Sequence, residues 1–313
     1  MRVGLLLPPG FATLSFAPLT AFEAANLALG DSYYEVHVVS PNGGSVVNSF
    51  GMTVHTERAY DFEFDTLIVG SAPDARKPPR DIITYLQAAA GKTRRIASIC
   101  VGAFILGEAG LLAGRRATTH WMFGKELQER YPATHVDIDR IFIVDGPVWT
   151  SAGMTAGIDL ALHLVEHDIG TEKAREAART MVVHHRRAGG QSQHSAMLEM
   201  TGKSDRVQQA LEYVRVHLDD KLSVEKLAKI ACLSARQFSR IFRLETGITP
   251  ARAIENLRLE RARYLLEQGR LPIEAIAMET GFGDRERMRR SFVRTFGQAP
   301  QAIRNAATPL ASI

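Results

Sequence analysis

The stretch from Val224 to Pro250, VEKLAKIACLSARQFSRIFRLETGITP, is repeated from Ile273 to Pro300 as IEAIAMETGFGDRERMRRSFVRTFGQAP. Val224, Leu227, Ala228 and Leu233 fall on Ile273, Ile276, Ala277 and Phe282. With one extra residue in the turn, Phe238, Phe242, Gly247 and Pro250 then fall on Met288, Phe292, Gly297 and Pro300. Such spacing requires the same supersecondary unit twice. Each copy is a helix with one apolar face, a turn of three or four residues, and a second helix opened by a capping side chain, Ser234 or Asp284. This is the helix-turn-helix layout, whose second helix enters the major groove of DNA.

A helical hairpin in a plain bundle would satisfy one copy, so the charges decide the matter. Between Arg206 and Arg304 there are 19 Lys and Arg against 12 Asp and Glu, whereas the rest of the chain has 19 against 22. The basic excess therefore belongs to the repeat, which predicts a polyanionic partner. Off the core face, the second helices carry Arg236, Ser239 and Arg240 in one copy and Arg285, Glu286, Arg287, Arg289 and Arg290 in the other. Arginine pairs bidentately with guanine, worth about 1 to 3 kcal/mol of discrimination, while neighbouring cations hold phosphates.

The region resembles the AraC/XylS family of transcription regulators over about one hundred residues. GFGDRERMRRSFVRTFGQAPQAIR is similar to that family's second helix-turn-helix, with its closing pattern present as Gly297, Pro300 and Arg304. The resemblance implies a double-stranded DNA operator read by two helices in successive major grooves: Arg236, Ser239 and Arg240 in one, and Arg285, Glu286 and Arg290 in the next. Met288 stands where the family usually has phenylalanine, a volume-conserving core change.

The earlier part of the chain has a different pattern. Apolar runs at VGLLL, YEVHVVS, TLIVGS, RIASIC and IFIVDGPVWTSAG predict strands. The intervening segments Ala17 to Leu29, Pro79 to Ala90, Gly102 to Leu112 and Met154 to Glu166 predict helices. Strand and helix in alternation predict an α/β sandwich with a largely parallel sheet, whose ligands bind beyond the carboxyl ends of the strands. The expected organisation is an α/β domain at 1–185, a Gly/Ser/Gln-rich linker at 186–205, an all-α domain at 206–305 opening with DRVQQALEYVRVHL, and a tail at 306–313. No run reaches the roughly 18 apolar residues of a membrane span, and MRVGLLLPPG is broken by proline too early for a secretory signal. A cytoplasmic location is expected. Cys100 and Cys232 fall in different domains, so neither a disulfide framework nor a cysteine metal site is expected. The adjacent His184 and His185 lack a third ligand at suitable spacing and read as a helix end. No cofactor is implied.

Cys100 ends RIASIC, and the helix of VGAFILGEAGLL begins immediately after it. A strand entering a helix through one residue makes a sharp turn, which Gly102 is expected to relieve, and points the sulfur along the helix N-terminus. Such a position favours thiolate. His120, in ATTHW, is a candidate base or hydrogen-bond partner. By residue type alone, a cysteine after a strand is more often a small buried hydrophobe.

The segments IASICVGAFILGEAGLL, RRATTHW and VWTSAGMTAGIDLALHLVE resemble the class I glutamine amidotransferase-like superfamily in its ThiJ/PfpI branch. The combination with the basic repeat is similar to the GlxA-type regulators. The resemblance implies a flavodoxin-like fold with a pocket lined by Ser15, Gly70, Cys100, Val101 and His120. Enzymes of the branch carry an acid near the first helix, where LSFAPL here places Ser15; a thiol without that acid lacks a proton acceptor and donor. The expectation is therefore a sensor that turns nothing over. It would be a homodimer responding to an amine, amino acid or quaternary ammonium compound, with RNA polymerase as a further partner. Two alternatives stay open: a cysteine-dependent hydratase or amidohydrolase tethered to DNA, and a redox sensor using Cys100.

Overall fold

A computed structural model describes residues 1–183, 189, 193, 204–269 and 271–307. Most of the expected linker, the end of the tail and the His184–His185 pair lie outside the described residues. The chain divides into two units, Met1–Gly189 and Gly190–Ile313.

In the first unit an eight-stranded sheet has the order β3-β4-β2-β1-β5-β6-β10-β9. The strands are β1 (Arg2–Leu6), β2 (Glu35–Ser40), β3 (Gly44–Val47), β4 (Thr53–Arg58), β5 (Thr66–Val69), β6 (Arg95–Ile99), β9 (Phe142–Asp145) and β10 (Val148–Ser151). A separate short pair joins β7 (Arg116–Ala117) to β8 (His135–Val136). From β4 through β10 neighbours run parallel, with Leu5 opposite Val38 on one side and Ile68 on the other. The central strands β5 and β6 are buried at every residue, which is why their sequences are continuous apolar runs instead of alternating ones. Helices α1 (Leu19–Leu29), α5 (Met154–Ile169) and α6 (Thr171–Thr180) pack on one another, as do α2 (Arg80–Ala89) and α3 (Gly102–Glu108); α4 (Gly124–Arg130) packs beside β8.

The structure corrects the strand expected across IFIVDGPVWTSAG. It is a hairpin: β9 pairs antiparallel with β10 through the loop Gly146–Pro147, and only β10 joins β6 in parallel. Gly146 at φ +57° supplies the left-handed residue that a two-residue hairpin needs at its first loop position. A second edge hairpin, β3–β4, was not expected, because its polar and apolar residues give no long run. Helix α3 stops at Glu108, short of the expected Leu112, where the chain turns through Gly110 at φ +79°.

The second unit is helical throughout its described residues: α7 (Asp205–Val216), α8 (Val224–Ile230), α9 (Ala235–Thr246), α10 (Pro250–Gln268), α11 (Ile273–Glu279), α12 (Arg285–Phe296) and α13 (Pro300–Ala307). Both expected caps form. Ser234 accepts from the Gln237 N–H in a capping box, and Asp284 accepts from the Arg287 N–H at 2.7 Å. The repeated apolar positions build two cores. Leu227, Ala228, Phe238 and Phe242 are buried in one, and Ile276, Ala277, Met288 and Phe292 in the other. Helix α10 serves both, through Ala253, Ile254 and Leu257 and then Leu259, Ala262 and Leu266.

The repeat extends to backbone conformation. Cys232 has φ +53° in the first turn, where the second copy has Gly281 at φ +72°. A side chain with a Cβ is strained there, by about 1 to 3 kcal/mol. Cys232→Gly is therefore expected to stabilise the helical unit by roughly 1 kcal/mol, offset in part by the greater freedom of the unfolded chain. Urea unfolding of the full chain, followed by helical circular dichroism, checks this; a lower midpoint contradicts it.

Candidate functional site

Two places in the chain concentrate the expected functional residues. In the first unit these residues follow the carboxyl ends of β1, β5 and β6, the position at which open parallel sheets bind ligands. Ser15 lies in the 3-10 turn Thr13–Phe16 after β1, Gly70 and Ser71 follow β5, and Cys100 follows β6.

Cys100 is the bend itself. Its φ is +53°, its N–H donates to Ser151 O at 2.9 Å, and its carbonyl accepts from Thr119 Oγ1 at 2.8 Å. Those two bonds hold a conformation that a non-glycine residue adopts only at a cost. The strain assigned to Gly102 from the sequence is thus carried by Cys100. Gly102 is needed for a different reason: a Cβ there would stand 2.8 Å from Val69 O and 2.9 Å from Gly70 O, so any other residue would push α3 off the end of β5.

The expected thiolate is also corrected. The Cys100 side chain is buried, and burial pushes its thiol up from the ordinary cysteine value; hydrogen bonds from Ser71 and the Val101 N–H act against this and are smaller. A seven-residue helix beside a desolvated sulfur does not offset the loss of water. Val101, buried at the start of α3, contributes that backbone donor.

Ser15 has no access to solvent. Its Oγ accepts from the Ser71 N–H at 3.0 Å and lies 3.3 Å from Ser71 O, to which it donates. A Cβ at Gly70 would stand 3.1 Å from that same Oγ, so the glycine leaves room for the bond. Ser71 therefore touches both Ser15 and Cys100, and Thr119 ties the residue before His120 to the elbow. Both were missed in the sequence; the only signals were a small hydroxyl directly after TLIVG and a second threonine in ATTHW. His120 is half-buried. Its Nδ1 accepts from the Met122 N–H at 3.4 Å, which places the neutral ring's proton on Nε2, and the ring stacks on Trp121 with centroids 5.6 Å apart. A Cβ on Gly153, at the start of α5, would lie 3.5 Å from its Cδ2. Among the described residues no group of three His, Cys, Asp or Glu is placed to hold a metal ion.

In the second unit α9 and α12 occupy equivalent places in their motifs, and their arginines differ in engagement. Arg236 and Arg240 are exposed and, among the described residues, form no ion pair; Ser239 and Arg240 border a hollow of about 590 Å³ with Arg243, Leu244 and Thr249. On α12, Arg285 pairs with Glu274 at 2.9 Å. Glu286 receives two bonds from Arg289, at 2.8 and 2.9 Å, which hold its carboxyl below the usual range. Arg287 and Arg290 are exposed and form no ion pair among the described residues. Glu286 is thus engaged by Arg289, and Arg294 is bound back to Glu255 on α10.

A chain with an elbow cysteine on a parallel sheet and a paired helix-turn-helix unit falls into a defined class. A model of the DJ-1/PfpI family matches residues 1–167, and a model of a helix-turn-helix domain matches residues 227–306. The chain belongs to the DJ-1/PfpI family and carries an AraC-type helix-turn-helix domain behind it. It is similar to the HTH-type transcriptional regulator CdhR of Pseudomonas aeruginosa, 32% identical over 97% of this chain and 91% of the relative. It is also similar to the HTH-type transcriptional regulator GlxA of Rhizobium meliloti, 30% identical over 97% of this chain and 95% of the relative. Among solved structures, a putative transcriptional regulator protein from Vibrio parahaemolyticus shares the fold, with TM-score 0.53 and 24% identity, over 58% of this chain and 98% of that one. The chain is a DNA-binding transcription regulator with a ligand-sensing DJ-1/PfpI unit. No helix among the described residues is long and apolar enough to cross a membrane.

The raised thiol sets a pH dependence. Cys100 is protonated through neutral pH and ionises only above the ordinary cysteine range, near 8.5. Alkylation by iodoacetamide, followed by mass spectrometry at Cys100, is expected to accelerate with a midpoint above that value; a midpoint below 8 contradicts the burial argument.

Proposed function

We propose that this regulator works in the cytoplasm as a homodimer joined through its DJ-1/PfpI units, and that a small polar effector binds beside Cys100 and His120. Ser15, Gly70 and Val101 complete the pocket. The effector class is an amine, an amino acid or a quaternary ammonium compound, which the half-exposed His120–Trp121 stack suits as a polar and aromatic wall. Effector binding shifts the population of two arrangements of the sensing units and so the ability of the basic units to engage their operator. RNA polymerase is the further partner of the DNA-bound form.

One observation carries the DNA-reading assignment. Arg240 on α9 and Arg290 on α12 fall on matching positions of the two copies, and these two, with Arg236 and Arg287, are exposed and hold no ion pair among the described residues. Such side chains meet a duplex without first breaking internal bonds. A sensing role for the elbow is supported by Ser15: where an enzyme needs a carboxylate, a hydroxyl is bound to the Ser71 backbone. The buried, protonated thiol is likewise unlike a redox sensor, which needs an exposed thiolate of low pKa.

Arg240→Ala and Arg290→Ala are each expected to weaken specific binding by about 1 to 3 kcal/mol and to relax base preference at separate positions about one helical turn apart. Footprinting and selection from random duplexes measure both; unchanged footprints in the two variants remove the recognition-helix assignment. A thermal-shift screen with nitrogenous metabolites tests the pocket. A hit should shift the wild type, lose its effect when Gly153→Val crowds the His120 ring, and change operator affinity in the wild type.

A further inference from the structure

Arg258 sits on α10 between Leu257, which closes the first core, and Leu259, which closes the second. It is buried. Its guanidinium does not reach a carboxylate: among the described residues it forms no ion pair. Instead Nε donates to Leu218 O at 3.0 Å and one terminal nitrogen donates to Asp220 O at 2.7 Å. Those carbonyls belong to the loop between α7 and α8, which leads into the first helix-turn-helix. A buried guanidinium whose hydrogen bonds among the described residues go to carbonyls, with Asp219 only as a nearby charge, is a costly way to hold a loop, and its planar fork fixes direction as well as distance.

The turn of the second motif closes the same contact from the opposite side. A Cβ on Gly281 would stand 2.0 Å from Leu218 O and 2.6 Å from a terminal nitrogen of Arg258. The loop of the first motif, the connecting helix and the turn of the second motif therefore meet where no methyl group fits. A second arginine makes a related contact within one motif, as Arg304 donates to Leu271 O at 2.5 Å just before α11. The Arg258 contact joins the loop before the first motif to the turn of the second, whereas α12 reaches the first half of α10 through Ser291 and Arg294 on Glu255.

We propose that Arg258, seated against Gly281, is a positioning residue that fixes α9 and α12 in one relative register and so sets the half-site spacing that this regulator accepts. The inference rests on the reading of α9 and α12 as the helices that contact DNA. A duplex separates successive groove faces by about 34 Å, and one inserted base pair both lengthens and rotates the second half-site. A rigid pair of motifs cannot follow that change; a loosened pair can.

The test uses the full-length chain and the duplex that the wild type selects from a random library, with that duplex carrying one inserted base pair between half-sites, and with one half-site scrambled. For the wild type the insertion is expected to cost about 10-fold or more in affinity, the scale at which linked sites lose joint engagement. In Arg258→Met that penalty should fall to less than about 3-fold while affinity for the single half-site duplex stays within about 2-fold of wild type. Gly281→Ala reaches the same contact without removing the guanidinium and should show the same flattened spacing response. Retention of the wild-type spacing penalty in both variants overturns the proposal. So does a parallel loss on the single half-site duplex, which would make Arg258 only a support of the fold. If the wild type itself selects no duplex, the DNA-reading assignment fails, and this is seen without any variant.

Discussion

Helix α10 is packed into two apolar cores at once, and the arrangement of the basic unit follows from that shared burial. Its first half is covered by the residues around Phe238 and Phe242, and its second half by those around Met288 and Phe292. Each motif is two short helices with a small core of its own, and small units bury a smaller share of their surface, so a shared helix adds apolar cover to both. Sharing a continuous helix fixes two small cores end to end at a constant rise and rotation per residue. The arginines of α9 and α12 are thereby carried on helices packed against one continuous helix.

In the sensing unit the comparable constraint is the closeness of α3 to the end of β5. Gly102 allows the approach, and the approach places Cys100 in a left-handed bend with its sulfur enclosed. Enclosure then decides the chemistry. A thiol removed from water keeps its proton, and the nearby Ser15 hydroxyl, bound to Ser71, is no proton acceptor of useful strength. The geometry of a reactive elbow is kept, while burial holds its thiol above the ordinary cysteine value. That combination is the physical basis for reading the place as a receptor surface.

Local rules made much of this legible beforehand. The repeated apolar spacing identified both motifs, and Ser234 and Asp284 cap their second helices because a side-chain acceptor three residues before a free N–H is a local matter. The continuous apolar runs of β5 and β6 marked buried parallel strands. The single strand expected across Ile141 to Gly153 was wrong because a Gly-Pro loop inside an apolar run folds it back, and apolar content alone cannot show direction. The long helix α10 was overlooked because its apolar residues serve two cores, which blurs a single stripe.

By itself the sequence determined the two-part organisation, the doubled helix-turn-helix, its caps and the confinement of basic charge to one unit. All of these depend on neighbours within one or two turns of chain or on composition. Tertiary structure alone decided that burial raises the Cys100 thiol, that Ser15 binds the Ser71 backbone 56 residues away, and that Arg294 is bound back to Glu255 on α10. It also decided that Arg258 reaches carbonyls 40 and 38 residues earlier. Burial and pairing of this kind are set by which distant segments meet, and no local pattern of residue types encodes that meeting.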